Sequence, residues 1–420
     1  MPTKSAALKV AVVGAGSIGR EYALFHFGAA TNTVVTSVVD TDAKLARLLA
    51  TDVGSAQAGA AVVGKNRYKA DVKSLAGKPV LHASELTNQI LDACDIVYVG
   101  TTPSAHKGLV LQALDANKHV LLEKPLASTA DDADAIVRAA ESAQAACGLR
   151  VGMNIGMRYN EALSTMRRLL LDERPEGAAR RVHDGGAAAS SPSASVAGGS
   201  LSLHFTQWPR DWQQVAWCAG RSDGGALREC GTHYLFAVLE LFGATSVKRV
   251  RATVTYPDGP SGTQAESAVE GTLELDGGLQ LELSVRTDGT GLAADGEDHY
   301  ELELEMSSGT AYQLHDFVCL RKGACDLSTR PKRWKQVVAN GAYGRTECVA
   351  ALCNEIRRAQ AEGCGDGAGG GAEKAPSSNK DVDAPLASPR LVTAREGLNV
   401  QRVLDGILAS RGRWLEIKYD

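Results

Sequence analysis

No stretch of this 420-residue chain reaches the roughly 18 apolar residues that a membrane-spanning helix needs. No Cys-x-x-Cys pair occurs among its nine cysteines, which are scattered from Cys94 to Cys364. That absence, with the odd count, argues against both a thiolate metal site and a disulfide framework, and for a reducing compartment. Strong charge of either sign is also lacking. The formal net charge is -4, and the basic clusters Arg167-Arg168, Arg180-Arg181 and Arg330 to Lys335 are short and interrupted. Neither nucleic acid nor a membrane is therefore an expected partner. The lead from Met1 to Leu8 leaves no room for the apolar core of a signal peptide, and the closing Ile417-Lys418-Tyr419-Asp420 is no retention or peroxisomal address. A cytoplasmic setting and the absence of a metal follow as expectations.

What is present is ordinary globular composition, 44% hydrophobic and 22% charged, in a chain long enough for two domains with sizeable cores. Residues 9–126 alternate strand and helix. Strands are expected at Leu8 to Val13, Thr33 to Val39, Asp95 to Gly100 and His119 to Leu122. Helices are expected at Ser17 to Ala30, Asp42 to Ala50 and His106 to Ala116, with Asp42 as a plausible N-cap. Such alternation implies βαβ units and a parallel, doubly wound sheet, which His119 to Leu122 closes. An irregular excursion is expected between Val53 and Leu81. Then come a helix from Ser128 to Ala146, a strand-like run from Val151 to Met157 and a helix from Asn160 to Leu171. Residues 177–200 are Gly/Ala/Ser-rich and read as a surface insert. After a helix from about Gly231 to Phe242 the period changes to two. Lys248 to Tyr256, Ala265 to Leu275, Leu279 to Thr287, Tyr300 to Met306 and Ala311 to Leu320 alternate apolar and polar residues, with a hairpin turn at Asp276-Gly277-Gly278. This is an antiparallel sheet with one wet or partner-covered face. A helix at Thr346 to Ala359, a low-complexity stretch at 361–388 expected to be disordered, a helix at Leu391 to Ser410 and a strand at Trp414 to Ile417 complete the chain.

Gly14-Ala15-Gly16-Ser17-Ile18-Gly19 follows the first strand and opens a helix, the context that gives a Gly-x-Gly-x-x-Gly run its meaning. Gly14 permits the tight turn, Gly16 lets backbone approach a pyrophosphate, and Gly19 lets helix and strand pack closely. Asp40 ends the second strand, 21 residues after Gly19, near the spacing of a ribose-binding carboxylate. A carboxylate there accepts from ribose hydroxyls and repels a 2′-phosphate, which favours NAD over NADP. In the alternative, Asp40 caps the next turn, or Asp42 does so while Lys44 meets a phosphate. Thr101-Thr102-Pro103 ends a later strand, where its hydroxyls could reach ribose or phosphate.

A nicotinamide site needs groups that manage a substrate proton. Glu123-Lys124-Pro125 ends the buried run His119-Val120-Leu121-Leu122, so Lys124 would point into the cofactor crevice. Its ammonium could hydrogen-bond a developing alkoxide. His233 is the second candidate. If its segment is α-helical, Glu229 lies four residues earlier on the same face, where it would raise the basicity of the imidazole and orient it. His106 reads as structural. Trp208, Trp212 and Trp217 could floor a sugar site or seal a domain interface.

With these residues in place, the chain resembles the Gfo/Idh/MocA oxidoreductases. The resemblance runs through the Gly14 turn, Thr102 to His106, the His119 to Pro125 stretch, Met157-Arg158-Tyr159, the segment ending in His233 and the closing helix from Glu396 to Ser410. It implies a Rossmann domain, residues 1–126, and an α/β domain with a large, mostly antiparallel open sheet, residues 127–420, which often makes oligomer contacts. A homodimer or homotetramer is the corresponding expectation. It implies hydride transfer between NAD, with NADP as the alternative, and a carbinol or ketone of a sugar, inositol or related polyol. The family's catalytic Lys and His map to Lys124 and His233, and Glu229 stands where the family usually has Asp. Gly14, Gly16, Ser17, Ile18, Gly19, Asp40, Thr101, Thr102, Pro103, Glu123 and Lys124 would line the cofactor, and Arg158, Tyr159 and Trp208 the substrate. The resemblance leaves room for a cofactor-binding regulator without turnover, an NAD-using glycosidase, or a dihydrodiol or biliverdin oxidoreductase.

Overall fold

A computed structural model describes residues 6–57, 79–173, 195–292, 295–324, 334–363 and 390–419. The excursion expected between Val53 and Leu81, the insert at 177–200 and the stretch at 361–388 lie largely outside them.

The N-terminal half builds a six-stranded parallel sheet. Its strands are β1 (Leu8–Val13), β2 (Thr33–Val39), β3 (Leu81–Ala83), β4 (Ile96–Val99), β5 (His119–Leu122) and β6 (Val151–Met153), in the order β3-β2-β1-β4-β5-β6. β4 and β5 are buried almost throughout and read as unbroken apolar runs because helices cover both faces. The sheet does not stop at β5. β6 adds a sixth strand from beyond residue 126.

The helices are α1 (Ser17–Glu21), α2 (Ala43–Gln57), α3 (Asn88–Asp92), α4 (Pro103–Asp115), α5 (Ala130–Cys147), α6 (Glu161–Asp172), α7 (Thr232–Phe242), α8 (Arg345–Gly363) and α9 (Ala394–Ala409). The helix after the Gly-rich turn is shorter than the sequence suggests: α1 passes into a π-helical turn, Tyr22–His26, and ends there. Asp42 accepts from the backbone of Lys44 and Leu45 and so caps α2, as expected.

The second sheet has nine strands: β7 (Val196–His204), β8 (Val247–Thr255), β9 (Ala268–Leu275), β10 (Gln280–Arg286), β11 (His299–Met306), β12 (Thr310–His315), β13 (Cys319–Ala324), β14 (Lys335–Val338) and β15 (Leu415–Glu416). Their order is β14-β13-β12-β11-β7-β10-β9-β8-β15, antiparallel except where β10 meets β7. Alternation decides the faces. Leu281, Leu283 and Val285 of β10 are buried, whereas Gln280 before them and Glu282 between the leucines are exposed. Helix α6 packs against β12 to β14 and α9 against β8, and α7 packs on α9. The side that bears Glu282 is polar and holds a concavity of about 760 Å³ lined by Ser200, Arg251, Glu270, Glu282, Glu303 and their neighbours.

Two expectations are corrected here. Residues 196–200, expected to belong to a surface insert, begin β7 in the middle of the second sheet. A Cβ on Gly199 would stand 2.3 Å from the Glu303 carbonyl oxygen, so the glycine reflects close strand approach rather than linker composition. The single strand expected at Ala311 to Leu320 is two strands. Asp316 and Phe317 both adopt positive φ and reverse the chain between β12 and β13. Among the described residues no helix is long and apolar enough to cross a membrane.

Candidate active site

The strand order reverses between β1 and β4, the position at which doubly wound sheets open a crevice at their carboxyl ends. The Gly-rich turn sits there. Gly14 has φ +101°, and a Cβ on it would lie 2.3 Å from the Gly100 carbonyl oxygen at the end of β4. A Cβ on Gly19 would lie 1.7 Å from the Gly14 carbonyl oxygen. Both glycines are therefore required by the chain's own packing. Gly16 is different: nothing lies within 4 Å of the position its Cβ would take. Gly16 and Ser17 are exposed and Ile18 is half-buried. The turn is thus closed on the protein side and open on the crevice side, which fits a phosphate-bearing cofactor.

Asp40 is drawn back onto the same turn. Its carboxylate accepts from the Ala15 amide at 2.7 Å and from the Asp42 amide at 2.8 Å. Each oxygen keeps a further lone pair for another donor. Across the crevice Thr102 precedes α4 and Pro103 opens it, where a missing N–H costs nothing. The Thr102 hydroxyl faces that of Ser104 at 3.3 Å, and the Thr101 hydroxyl donates to the Thr102 carbonyl. Buried His106 faces the carbonyls of Thr101 and Leu126, each at 3.2 Å, and ties the loop after β4 to the loop after β5.

At the end of β5 the chain is extended, so Glu123 and Lys124 point to opposite sides. Glu123, expected to line the cofactor, has its carboxylate engaged within the protein. It is buried, and its Oε1 accepts from the Tyr98 hydroxyl at 2.7 Å and from the Asn154 amide; Asn154 accepts from the Tyr22 hydroxyl at 2.5 Å. Burial pushes its carboxyl above the ordinary range, against those hydrogen bonds and the Lys124 charge.

Lys124 points the other way, toward the segment that carries His233. Its Nζ donates to the Glu229 backbone carbonyl at 3.0 Å and to Glu229 Oε2 at 3.2 Å. Both side chains are shielded, 13% and 7% exposed. Gln213 donates to the same Oε2 at 2.8 Å, and Arg210 donates to Gln213 Oε1 through Nε at 3.2 Å and Nη2 at 2.9 Å. A hydrogen-bonded chain thus runs from Arg210 through Gln213 and Glu229 to Lys124. Sequence reasoning missed its outer half. Nothing marks Gln213 or Arg210 in the linear pattern, because both act through a loop rather than through a periodic element.

The expected α-helical pairing of Glu229 with His233 is not what forms. Leu227–Gly231 is a π-helical turn, which α7 continues, so the i,i+4 register that would have stacked the two side chains is broken. Glu229 Oε1 is buried without a partner among the described residues, and so is His233 Nδ1. The imidazole packs edge-on against Phe317, ring centroids 5.5 Å apart. Its basicity is lowered, not raised. Burial foremost, then the charges of Lys124, Arg345 and Arg210, hold it well below the ordinary histidine range.

The residues expected to meet substrate are placed elsewhere or are partly committed. Arg158 is 4% exposed and forms ion pairs with Glu240 on α7 at 2.6 Å and Glu396 on α9 at 2.7 Å. Its terminal nitrogens thereby fasten two helices. The Tyr159 hydroxyl donates to the Arg390 carbonyl at 3.3 Å. The Trp208 indole donates to the Cys218 carbonyl at 2.9 Å, and its ring meets Phe205 edge-on.

Residues 8–151 match the sequence profile of the oxidoreductase family with an NAD-binding Rossmann fold. Over these residues, about a third of its length, the chain is similar to the Gfo/Idh/MocA oxidoreductases. Among curated relatives it is 34% identical over 163 residues to a 1,5-anhydro-D-fructose reductase of Ensifer adhaerens, covering 39% of this chain and 40% of that protein. It is 33% identical over 132 residues to an inositol 2-dehydrogenase/D-chiro-inositol 3-dehydrogenase of Shouchella clausii, covering 31% of this chain and 32% of that one. The matches thus span well under half of either relative. The fold likeness is longer. A levoglucosan dehydrogenase solved with NADH and L-sorbose superposes with a TM-score of 0.66 at 14% identity, over 99% of this chain and 100% of that one.

Proposed function

We propose that this chain is a Gfo/Idh/MocA oxidoreductase, NAD-dependent, that transfers hydride between the nicotinamide and a carbinol or ketone of a sugar, inositol or related polyol. The observation that carries the reading is the pairing at the end of β5. A shielded Lys124 is held by Glu229 beside His233, and both partner side chains keep a buried polar atom unfilled. Gly14, Gly16 and Gly19 would hold the cofactor phosphates, and Asp40 its adenine ribose, where a carboxylate disfavours a 2′-phosphate. When bound, the nicotinamide supplies the hydride acceptor or donor.

The chain's own residues manage the proton. A site that keeps the imidazole neutral at pH 7 keeps it able to accept, so the carbinol proton passes to His233. Lys124 donates to the same substrate oxygen and stabilises the negative charge that develops there. Glu229 holds the ammonium in place through two oxygens, its backbone carbonyl and Oε2, and leaves Oε1 for a neighbouring substrate hydroxyl. The alternating outer strands of the second sheet give two copies of the chain a polar face through which to associate.

The test is NAD reduction over a panel of sugars and inositols. Turnover is expected with at least one, and Lys124→Ala should lower kcat/KM by about 10²–10⁴-fold. Tight NAD binding with no turnover on any substrate, and Lys124→Ala indistinguishable from wild type, would sink the reading. Stronger binding of NADP than of NAD would remove the role given to Asp40.

A further inference from the structure

Arg210 is a cation beside the reacting groups that has no ion-pair partner among the described residues; the carboxylate whose charge acts on it, Glu229, is already held by Lys124. Lys124 is matched by Glu229, Arg345 by Glu21, and Arg158 by two glutamates. Arg210 has no such match: among the described residues no carboxylate comes within 4.0 Å of its guanidinium. The groups it hydrogen-bonds are neutral, the Gln213 side-chain oxygen and the Tyr300 hydroxyl. Yet the guanidinium is half-buried and held in place by three aromatic rings: Trp212 at 4.4 Å, Trp208 at 5.5 Å and Phe205 at 5.9 Å from ring centroid to Cζ. Cation–π contact orients a guanidinium but does not neutralise it, and a shielded unpaired charge is costly. Arg210 is also one side chain away from the reacting groups, because Gln213 joins it to the Glu229 oxygen that Lys124 holds. Its field reaches His233, whose protonation it helps to suppress.

We propose that Arg210 receives an anionic group of the substrate, so that the polyol this enzyme prefers carries a carboxylate or a phosphate. The proposal rests on the hydride-transfer reading above and narrows its substrate class. A planar guanidinium presents paired N–H donors that suit both anions, and the rings leave it little freedom to turn away. The neutral Gln213 bridge fits this assignment. It positions Arg210 without cancelling the charge, whereas a carboxylate at 213 would have filled the site from within.

The test compares kcat/KM, with NAD, for D-glucose, D-glucuronate and D-glucose 6-phosphate, together with binding of each to the NADH complex. Wild type should favour at least one acidic sugar over D-glucose by roughly tenfold to a hundredfold, the worth of one charge-assisted hydrogen-bonded contact. Which acidic sugar wins tells carboxylate from phosphate. Arg210→Met should collapse the acidic-to-neutral ratio toward one, and Arg210→Lys should retain part of it. The wild-type preference should also shrink as salt rises, a readout that needs no variant. No acidic preference in wild type, or a ratio unchanged in Arg210→Met, overturns the proposal. A loss of NAD affinity in Arg210→Met would assign the side chain to the cofactor instead and overturn it equally. If no sugar turns over, hydride transfer fails as a reading. Salt-sensitive binding of an acidic sugar that Arg210→Met abolishes would still uphold the anion site, and its absence would refute it.

Discussion

The shielded clusters of cation and carboxylate at Arg158 and at Lys124 are wired differently. At Arg158 a guanidinium meets Glu240 and Glu396 from two helices, and Glu396 closes a capping box with Thr393 at the start of α9. The carboxylates are spent on the fold; only Arg158 Nε lacks a partner. At Lys124 the carboxylate comes from a π-helical turn, Glu229 Oε1 is left over, and the neighbouring imidazole is left over as well. The first cluster is built to be complete. The second is built to be completed, which is what a site for a hydroxylated ligand needs. Burial alone does not distinguish them. The distinction lies in which polar atoms remain unanswered and whether they converge.

Substitution should separate the two along different axes. Arg158→Met strands Glu240 and Glu396 in a shielded place, so the expected loss of stability is about 3–5 kcal/mol, read as a shift in the urea midpoint. Glu229→Gln keeps a hydrogen-bond acceptor for Lys124 but removes the charge. Its larger effect should be on turnover, a fall in kcat/KM of roughly tenfold to a hundredfold, with a stability loss of no more than about 2 kcal/mol. If the two variants lose stability equally, the contrast between a finished and an unfinished cluster collapses. If Glu229→Gln leaves kcat/KM untouched, Glu229 belongs with the structural glutamates.

The parallel sheet was legible because its signals are local and redundant: apolar runs at β1, β2, β4 and β5, a glycine turn after β1, and an acid at the end of β2. So was the meeting of Lys124 with the segment around His233, through the resemblance rather than through spacing. What escaped was decided by tertiary contacts. Glu123 and Lys124 are adjacent, yet strand geometry sends one into a tyrosine–asparagine network and the other into the crevice. Arg158 looks like a ligand-binding arginine in the linear pattern, but Glu240 and Glu396, both distant in sequence, claim it. The start of β7 has the composition of a linker, because close strand packing and chain flexibility call for the same residue, glycine. A one-residue change of helical register at Leu227–Gly231 separates Glu229 from His233, and no propensity scale marks it.

Acid titration sharpens the comparison with a smaller effect. His119 begins β5, the strand that ends at Lys124, and its Nδ1 accepts from the Arg150 amide at 3.0 Å. Only the unprotonated ring can do this. Burial first, and the Arg150 charge second, lower its value from 6.5 to about 4. The unfolded chain therefore takes up a proton at this residue before the folded protein does. Stability from His119 is fully present above pH 6.5 and is lost as pH falls from there toward 4, with nothing to lose on the alkaline side. Allowing for partial exposure, the loss should not exceed about 2 kcal/mol. Glu396 behaves oppositely. Its partners, Arg158 foremost, hold it below 4.5 against the cost of burial, so the Arg158 cluster keeps its contribution until the pH drops below the ordinary carboxylate range. Urea midpoints measured from about pH 7 to about pH 3 should thus fall in two stages. His119→Asn, whose side-chain oxygen can still accept from Arg150, should flatten the first stage and spare the second. It should flatten it only in part, since His106, His204, His233 and His299 are also lowered by burial. A first stage unchanged in His119→Asn would assign the whole loss to those four, and an early loss that also disappears in Arg158→Met would show that the two clusters titrate as one.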